Sequence, residues 1–206
     1  MTRRPGSVWI YHITDLANLP GILAAGGLQS DKAMGAIAHS EIGYSHIKVR
    51  RLTEIRIPCC ANAFVGEFVP FYYCPRSPML YTINKGNTGR PTGCQSTIVH
   101  LVSRTEVGMS LGRPWAISDG NAGAFHTTFM AAPEALDTLD WAAIETNHWS
   151  GKVHQKHSEF LVKDFFPWEG FDGIGCLNGH AEAELKKLLS GAKHVPQIAV
   201  RPDWYY

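Results

Sequence analysis

The sequence predicts an α+β fold, and three observations carry that prediction. Short β-type runs and helical runs are interspersed along 206 residues without the strand–helix alternation of a doubly wound sheet. Gly (20) and Pro (12) are frequent, which means many turns and less helix than average. With 45% hydrophobic residues the chain can bury a normal core, and its length favours one domain over residues 1–206.

Val8-Trp9-Ile10-Tyr11 reads as a strand of β-branched and aromatic residues, ended by His12-Ile13-Thr14. Thr14 or Asp15 caps the next helix, whose Leu16, Leu19, Ile22 and Leu23 share a face and which Gly26-Gly27 stops. Pro20 fits only near a first turn or a kink, and Gly21 lets a backbone or a ligand approach closely. From Gln29 to Pro58 the pattern is weak, with Ile37, Ile42 and Ile47 scattered among polar residues. Lys48, Arg50, Arg51 and Arg56 concentrate charge there, and the segment reads as a mobile binding loop with a short helix near Tyr44 to Leu52.

Phe68 to Cys74 is a strand that Pro70 assigns to an edge or a bulge. Pro75 to Pro78 is a turn, Met79 to Ile83 an apolar run, and Asn84 to Gln95 a Gly-rich surface loop. Thr97 to Val102 is a central-strand candidate, Ala116 to Ser118 a short strand and Asp119 to Gly123 a turn. Thr127 to Met130 is ambiguous, Leu136 to Glu145 holds helical pieces, and Asn147 to Ser158 reads as an exposed loop. Phe160 to Val162, Gly173 to Cys176 and Val195 to Val200 are strands, Ala181 to Leu189 is a helix, and Trp204-Tyr205-Tyr206 packs down.

Net charge is +1 with 18% charged residues, so contact with nucleic acid has to come from local patches. Cys59, Cys60, Cys74, Cys94 and Cys176 form no C-x-x-C and no even framework, which points to reduced thiols in a reducing compartment. No apolar run reaches the roughly 18 residues of a membrane span, and no signal-type segment opens the chain. The expectation is a cytoplasmic protein without membrane association.

No metal is expected. His148, His154 and His157 lie close in sequence but lack H-E-x-x-H or Cys/His pairing, and His100 reads as a core residue within a strand. Lys85 to Gly89 lacks the G-K-[ST] of a phosphate loop, and no G-x-S-x-G is present. Separated polar points remain, each with two readings. His12 bonds a ligand or is a satisfied buried residue. Arg50-Arg51 belong to a site or to a solvated helix face. Glu159 stands where a polar, basic run meets apolar Phe160-Leu161-Val162. It is either an ordinary strand-end acid or a carboxylate strengthened by a low-dielectric rim.

A set of ordered blocks adds to this reading. They are Ile10-Tyr11-His12-Ile13-Thr14, Asn18-Leu19-Pro20-Gly21-Ile22-Leu23 with Gly26-Gly27-Leu28, and Tyr44-Ser45-His46-Ile47-Lys48-Val49-Arg50-Arg51. Next come Val69-Pro70-Phe71-Tyr72-Tyr73-Cys74-Pro75-Arg76-Ser77-Pro78-Met79-Leu80-Tyr81 and Ser118-Asp119-Gly120-Asn121-Ala122. The last are Glu159-Phe160-Leu161-Val162 and Arg201-Pro202-Asp203-Trp204-Tyr205-Tyr206. From near the N-terminus to the last residue the chain resembles the DarT family of DNA ADP-ribosyltransferase toxins.

The resemblance implies a fold like that of poly-ADP-ribose polymerases, with a split central sheet whose cleft holds NAD+ as co-substrate. It implies that His12, Ile13 and Thr14 hold the nicotinamide-ribose end, and that Gly21 and the segment around Gln29 line the adenosine side. Glu159 and Arg51 match the catalytic pair, Arg51 also steadying the NAD+ phosphates, with Arg50 its neighbour. Residues 34–53 match the NAD+-binding loop-helix, and residues 119–159 the loop that contacts substrate. The implied reaction transfers ADP-ribose to N3 of thymidine bases in single-stranded DNA and releases nicotinamide. Guanosine in DNA, or protein, is the alternative acceptor, and a non-enzymatic nucleic-acid module is the reading from another class. Arg50, Lys152, His154 and Lys156, with His157, are assigned to DNA phosphates. The implied partners are single-stranded DNA and a DarG-type macrodomain antitoxin, and a monomer is expected.

The residue types suit that chemistry. Nicotinamide departs with oxocarbenium character on the ribose, which a carboxylate holding the 2′-hydroxyl stabilises. Thymine N3 is hidden by base pairing, so a single strand is the natural substrate. The family description makes Arg51 the proton acceptor. A guanidinium is effectively always charged, so the physical reading is that Arg51 stabilises the deprotonated base.

Overall fold

The computed structural model describes residues 7–35, 40, 42 and 45–206. Ile37 and Tyr44 of the expected loop and helix lie outside the described residues. In chain order the strands are β1 (Trp9–Asp15), β2 (Gly27–Gln29), β3 (Arg56–Ile57), β4 (Ala63–Phe64), β5 (Phe68–Tyr72) and β6 (Ile98–Arg104). They continue with β7 (Trp115–Ser118), β8 (Phe129–Met130), β9 (Glu159–Lys163), β10 (Phe165–Pro167), β11 (Gly173–Cys176) and β12 (Gln197–Val200).

Eight of these strands form one sheet in the order β12-β11-β6-β1-β5-β9-β7-β8. Its neighbours are antiparallel except for the parallel pair β11 and β12. The sheet is split at its centre. β1 pairs with β6 along its whole length, from Trp9 opposite Arg104 to Asp15 opposite Ile98. Toward β5, its register is the pair Tyr11–Tyr72. Across the opening, Nδ1 of His12 donates to the Pro70 carbonyl at 2.8 Å. The split accounts for Pro70: β5 is an inner strand, yet its ladder toward β1 is almost unused, so a residue without an N–H is tolerated there.

Hydrophobic alternation with a period of two decides which face each residue serves. On one face Val69, Phe71, Phe160 and Val162 join Ile10, Phe166, Phe171 and Leu185. On the other, Phe68 and Leu161 join Ala116, Val65 and Ile57. A third cluster gathers Ile13, Leu80, Ile83 and Ile98 around Tyr205 near the chain end. The Tyr205 hydroxyl donates to the Ile98 carbonyl at 2.8 Å, so the aromatic end packs down as expected.

Three local expectations need correction. His12-Ile13-Thr14 do not end the first strand, because β6 pairs with every residue through Asp15. Asp15 caps the 3-10 turn Leu16–Asn18, its carboxylate accepting from the Ala17 N–H at 3.0 Å, and Pro20 sits in the first turn of the helix Leu19–Ala24 that follows. Met79 to Ile83 lies in a helix, Pro78–Asn84, because Ser77 Oγ accepts from the Leu80 N–H at 3.2 Å and Pro78 fits a first turn. The segment 147–158 is not a free loop: Val153–Lys156 is a helical turn, and both Lys156 and Ser158 are buried.

β2 pairs with β10 to form a small ribbon beside the split. Gly27 has φ +156°, and a Cβ there would fall 2.2 Å from the Phe166 carbonyl, so only glycine lets the ribbon close. Among the described residues no helix is long and apolar enough to cross a membrane.

Candidate active site

Glu159 opens β9 and is 2% exposed. Beyond it, Phe160, Leu161 and Val162 are fully buried between β5 and β7, so the strand anchors the acid rigidly. The Asp119–Gly123 turn after β7 then wraps the carboxylate. The Glu159 N–H donates to Ser118 Oγ at 3.0 Å, and Ser118 Oγ donates to the Gly120 carbonyl at 2.7 Å. The Ala122 N–H donates to Oε1 at 2.9 Å. From the opposite side, Nη1 of Arg51 reaches both carboxylate oxygens, at 3.2 and 3.0 Å. Taking an ion pair out of water is costly unless its remaining valences are met. For the carboxylate a guanidinium and a backbone N–H meet them.

Arg51 sits in the last turn of the helix Ser45–Thr53. Burial alone would lower its pKa, but the charges of Glu159 and Asp31 outweigh burial and hold it above the ordinary value. The side chain is a permanent cation. Its Nη2 is nevertheless buried without a hydrogen-bond partner among the described residues. An unmet donor of this kind costs about 1–3 kcal/mol, and more for a charged group.

A cavity of ≈ 710 Å³ opens at this point. Small-molecule sites typically span about 300–1,000 Å³. His12, Ile13, Thr14, Gly21, Gln29, Arg51 and Glu159 all line it, so residues 147 positions apart in sequence share one chamber through the sheet split. Because His12 donates from Nδ1 and burial lowers its pKa, the ring is neutral and its Nε2 is an acceptor. A Cβ on Gly21 would meet nothing within 4 Å, which fits its position on an open wall. Thr88, from the Gly-rich loop, also lines the cavity, and its hydroxyl is buried without a partner among the described residues.

The substrate-facing residues fare differently. Arg50 lies with its guanidinium carbon 5.7 Å from the centre of the Phe125 ring, and Phe125 is 73% exposed. Lys152 is exposed. His154 stands 3.1 Å from Nε2 of His126 and 3.4 Å from Asp119 Oδ1. Lys156 is a correction. It is 2% exposed, and its Nζ donates to the Ile144 carbonyl at 2.6 Å and the Thr146 carbonyl at 2.8 Å, so it is a structural cation unavailable to a phosphate. His157 turns into the cavity instead of joining a basic surface.

Tyr72, Asn121 and Ala122 were not singled out individually from the sequence as parts of the site. Tyr72 lies opposite Glu159 in the β5–β9 register and lines the cavity, as does Asn121. The Ser118 to Ala122 block was legible as a turn, but the return of that turn onto Glu159 is a tertiary event with no local sequence signal.

Comparison with known proteins extends this picture. The family model described as DarT, ssDNA thymidine ADP-ribosyltransferase, matches residues 11–206. A DNA ADP-ribosyl transferase of Thermus aquaticus is 37% identical over 204 residues, covering 98% of this chain and 90% of that protein. The structure of Thermus sp. 2.9 DarT in complex with ADP-ribosylated ssDNA is similar with a TM-score of 0.91 at 34% identity, covering 100% of both chains. The structure of the same protein in complex with NAD+ is similar with a TM-score of 0.86 at 32% identity, again over 100% of both chains. With its split sheet, its Arg51–Glu159 pair and a match over residues 11–206, the chain belongs to the DarT family of ssDNA thymidine ADP-ribosyltransferases.

Proposed function

We propose that residues 1–206 act as one domain that transfers ADP-ribose from NAD+ to thymidine in single-stranded DNA, at N3, releasing nicotinamide. The observation that carries this reading is the buried Arg51–Glu159 pair at the wall of the cavity. The cavity residues fit NAD+. Arg51 and Lys48 bring positive charge to the wall for the phosphates, and Ile22, Leu28 and Met79 supply apolar walls for flat rings. When bound, NAD+ supplies the ADP-ribosyl group and the leaving nicotinamide.

Glu159 accepts a hydrogen bond from the ribose 2′-hydroxyl and places negative charge beside the developing oxocarbenium ion. Arg51 fixes that carboxylate through Nη1 and lends its positive charge to the NAD+ phosphates or the carbonyl of the target base. It does not take a proton, because its neighbours hold it charged. His12, Ile13 and Thr14 hold the nicotinamide-ribose end, and Gly21 and Gln29 border the adenosine side. Arg50, Lys152 and His154 face the strand's phosphates, a set from which Lys156 is absent. The family resemblance supports a toxin countered by a DarG-type macrodomain antitoxin. The enzyme is read as a cytoplasmic monomer without a metal requirement.

The test is incubation with labelled NAD+ and single strands that contain or lack thymidine. Label confined to thymidine-containing strands, and lost in Glu159→Ala, is expected. Label on a strand whose only base is guanine would replace thymidine by guanosine as the acceptor.

A further inference from the structure

The proposed reaction leaves one proton without an owner. Thymine N3 carries a hydrogen that must depart when N3 bonds to the ribose, and the guanidinium of Arg51 holds no lone pair for it. Glu159 is committed to Arg51 and to the Ala122 N–H. Tyr72 has its pKa pushed far up by burial and by Glu159, so it is a neutral phenol and a poor acceptor. Asp31 is held by Lys48 at 3.6 Å, and His12, though its Nε2 is also an acceptor, is fixed across the sheet split at the end assigned to the nicotinamide ribose.

We infer that His157 is the general base of the transfer. Its ring lines the same cavity as Glu159 and Arg51, and it closes the substrate loop two residues before Glu159. Nδ1 lies 2.7 Å from the Val153 carbonyl, an acceptor only, so Nδ1 carries the hydrogen. The lone pair is therefore on Nε2. Burial holds the ring neutral, opposed by the Val153 carbonyl and the charge of Glu159 and assisted by His154. A neutral imidazole with a fixed tautomer is the arrangement general-base catalysis requires.

The step balances as follows. N3 of thymine bonds to C1′ of the ribose while the C1′–nicotinamide bond breaks, its electron pair leaving with neutral nicotinamide. The N3 proton passes to Nε2 of His157, which later releases it to solvent.

This inference rests on the thymidine reading above, and the test separates the two. His157→Gln is assayed with NAD+ on a single strand carrying one thymidine and on the same strand carrying 5-fluorodeoxyuridine, whose N3–H is more acidic. On thymidine the variant should lose about 10²–10⁴-fold in kcat, the usual worth of a general base, with KM for NAD+ unchanged. The more acidic base should recover at least about tenfold of that loss, and the variant's rate should climb with pH while the wild type levels off once His157 is neutral. His157→Ala with added imidazole should regain transfer, which keeps the test informative if the glutamine variant folds poorly. An unchanged rate, or an equal loss on both bases with the wild-type pH profile, overturns the assignment. Failure of the wild type to label thymidine at all overturns the acceptor reading first.

Discussion

The corner around Glu159 and the run Lys152 to His157 are adjacent in sequence and opposite in behaviour. At the corner, groups drawn from distant elements converge on one carboxylate: the Arg51 guanidinium from a helix and the Ala122 N–H from a turn, with Tyr72 opposite Glu159 on the facing strand. In the run, four basic or potentially basic side chains that look like a single patch disperse to four tasks. Lys152 reaches solvent, His154 stands beside Asp119 and His126, Lys156 is sealed against two carbonyls, and His157 faces the cavity. Convergence is built by the sheet and is indifferent to sequence distance. A charge run, in contrast, holds together only if its backbone stays extended and exposed, and here the Val153–Lys156 turn rotates successive side chains apart.

The comparison is broken most severely at the corner itself. Glu159→Gln keeps the shape and the Ala122 contact but removes the charge, and transfer should fall at least about 10²–10³-fold, the scale of one preorganised electrostatic group. Arg51→Lys measures geometry against charge at the same point. If it loses as much transfer as Arg51→Ala at every pH, the two-oxygen grip on Glu159 matters more than the positive charge.

Gly120 joins the two regions. A Cβ there would lie 2.0 Å from Cε1 of His154, so Gly120→Ala must shift either the ring or the turn that holds Glu159. A misplacement of about 1 Å typically costs up to about 10²-fold, and a loss in kcat without a change in NAD+ affinity is the expected signature in steady-state assays.

Lys156→Met tests the dispersal. It leaves the Ile144 and Thr146 carbonyls without their donor, which should cost about 1–3 kcal/mol in urea unfolding. The salt dependence of DNA binding should not change, because a lysine buried at 2% exposure releases no counterion. The smallest effect belongs to Lys152→Ala. It should leave stability alone and lower the slope of log affinity against log salt by about 0.7, the value for one phosphate contact on a single strand.

What was legible in the sequence divides along the same line. β6, β9 and β11 were readable because apolar, β-branched runs announce buried strands without help from context. Glu159 was visible as an acid at a strand mouth, and the family blocks marked it and Arg51 as catalytic, but their ion pair emerged only from the fold. The continuation of β1 through His12 was hidden because its polar residues face the split, where a cavity replaces the usual neighbouring strand. The helix Pro78–Asn84 was hidden by its apolar content and revealed only by the Ser77-Pro78 cap. Lys156 was misjudged because its burial depends on two carbonyls contributed by another helix and its exit, Ile144 and Thr146.

The most direct measurement is the mass of a single strand containing one thymidine after incubation with NAD+, alongside the nicotinamide released. The wild type should add one ADP-ribose to the thymidine and release an equal amount of nicotinamide, and Glu159→Gln should do neither. An unmodified strand with the wild type, or undiminished modification by Glu159→Gln, would contradict the proposed transfer.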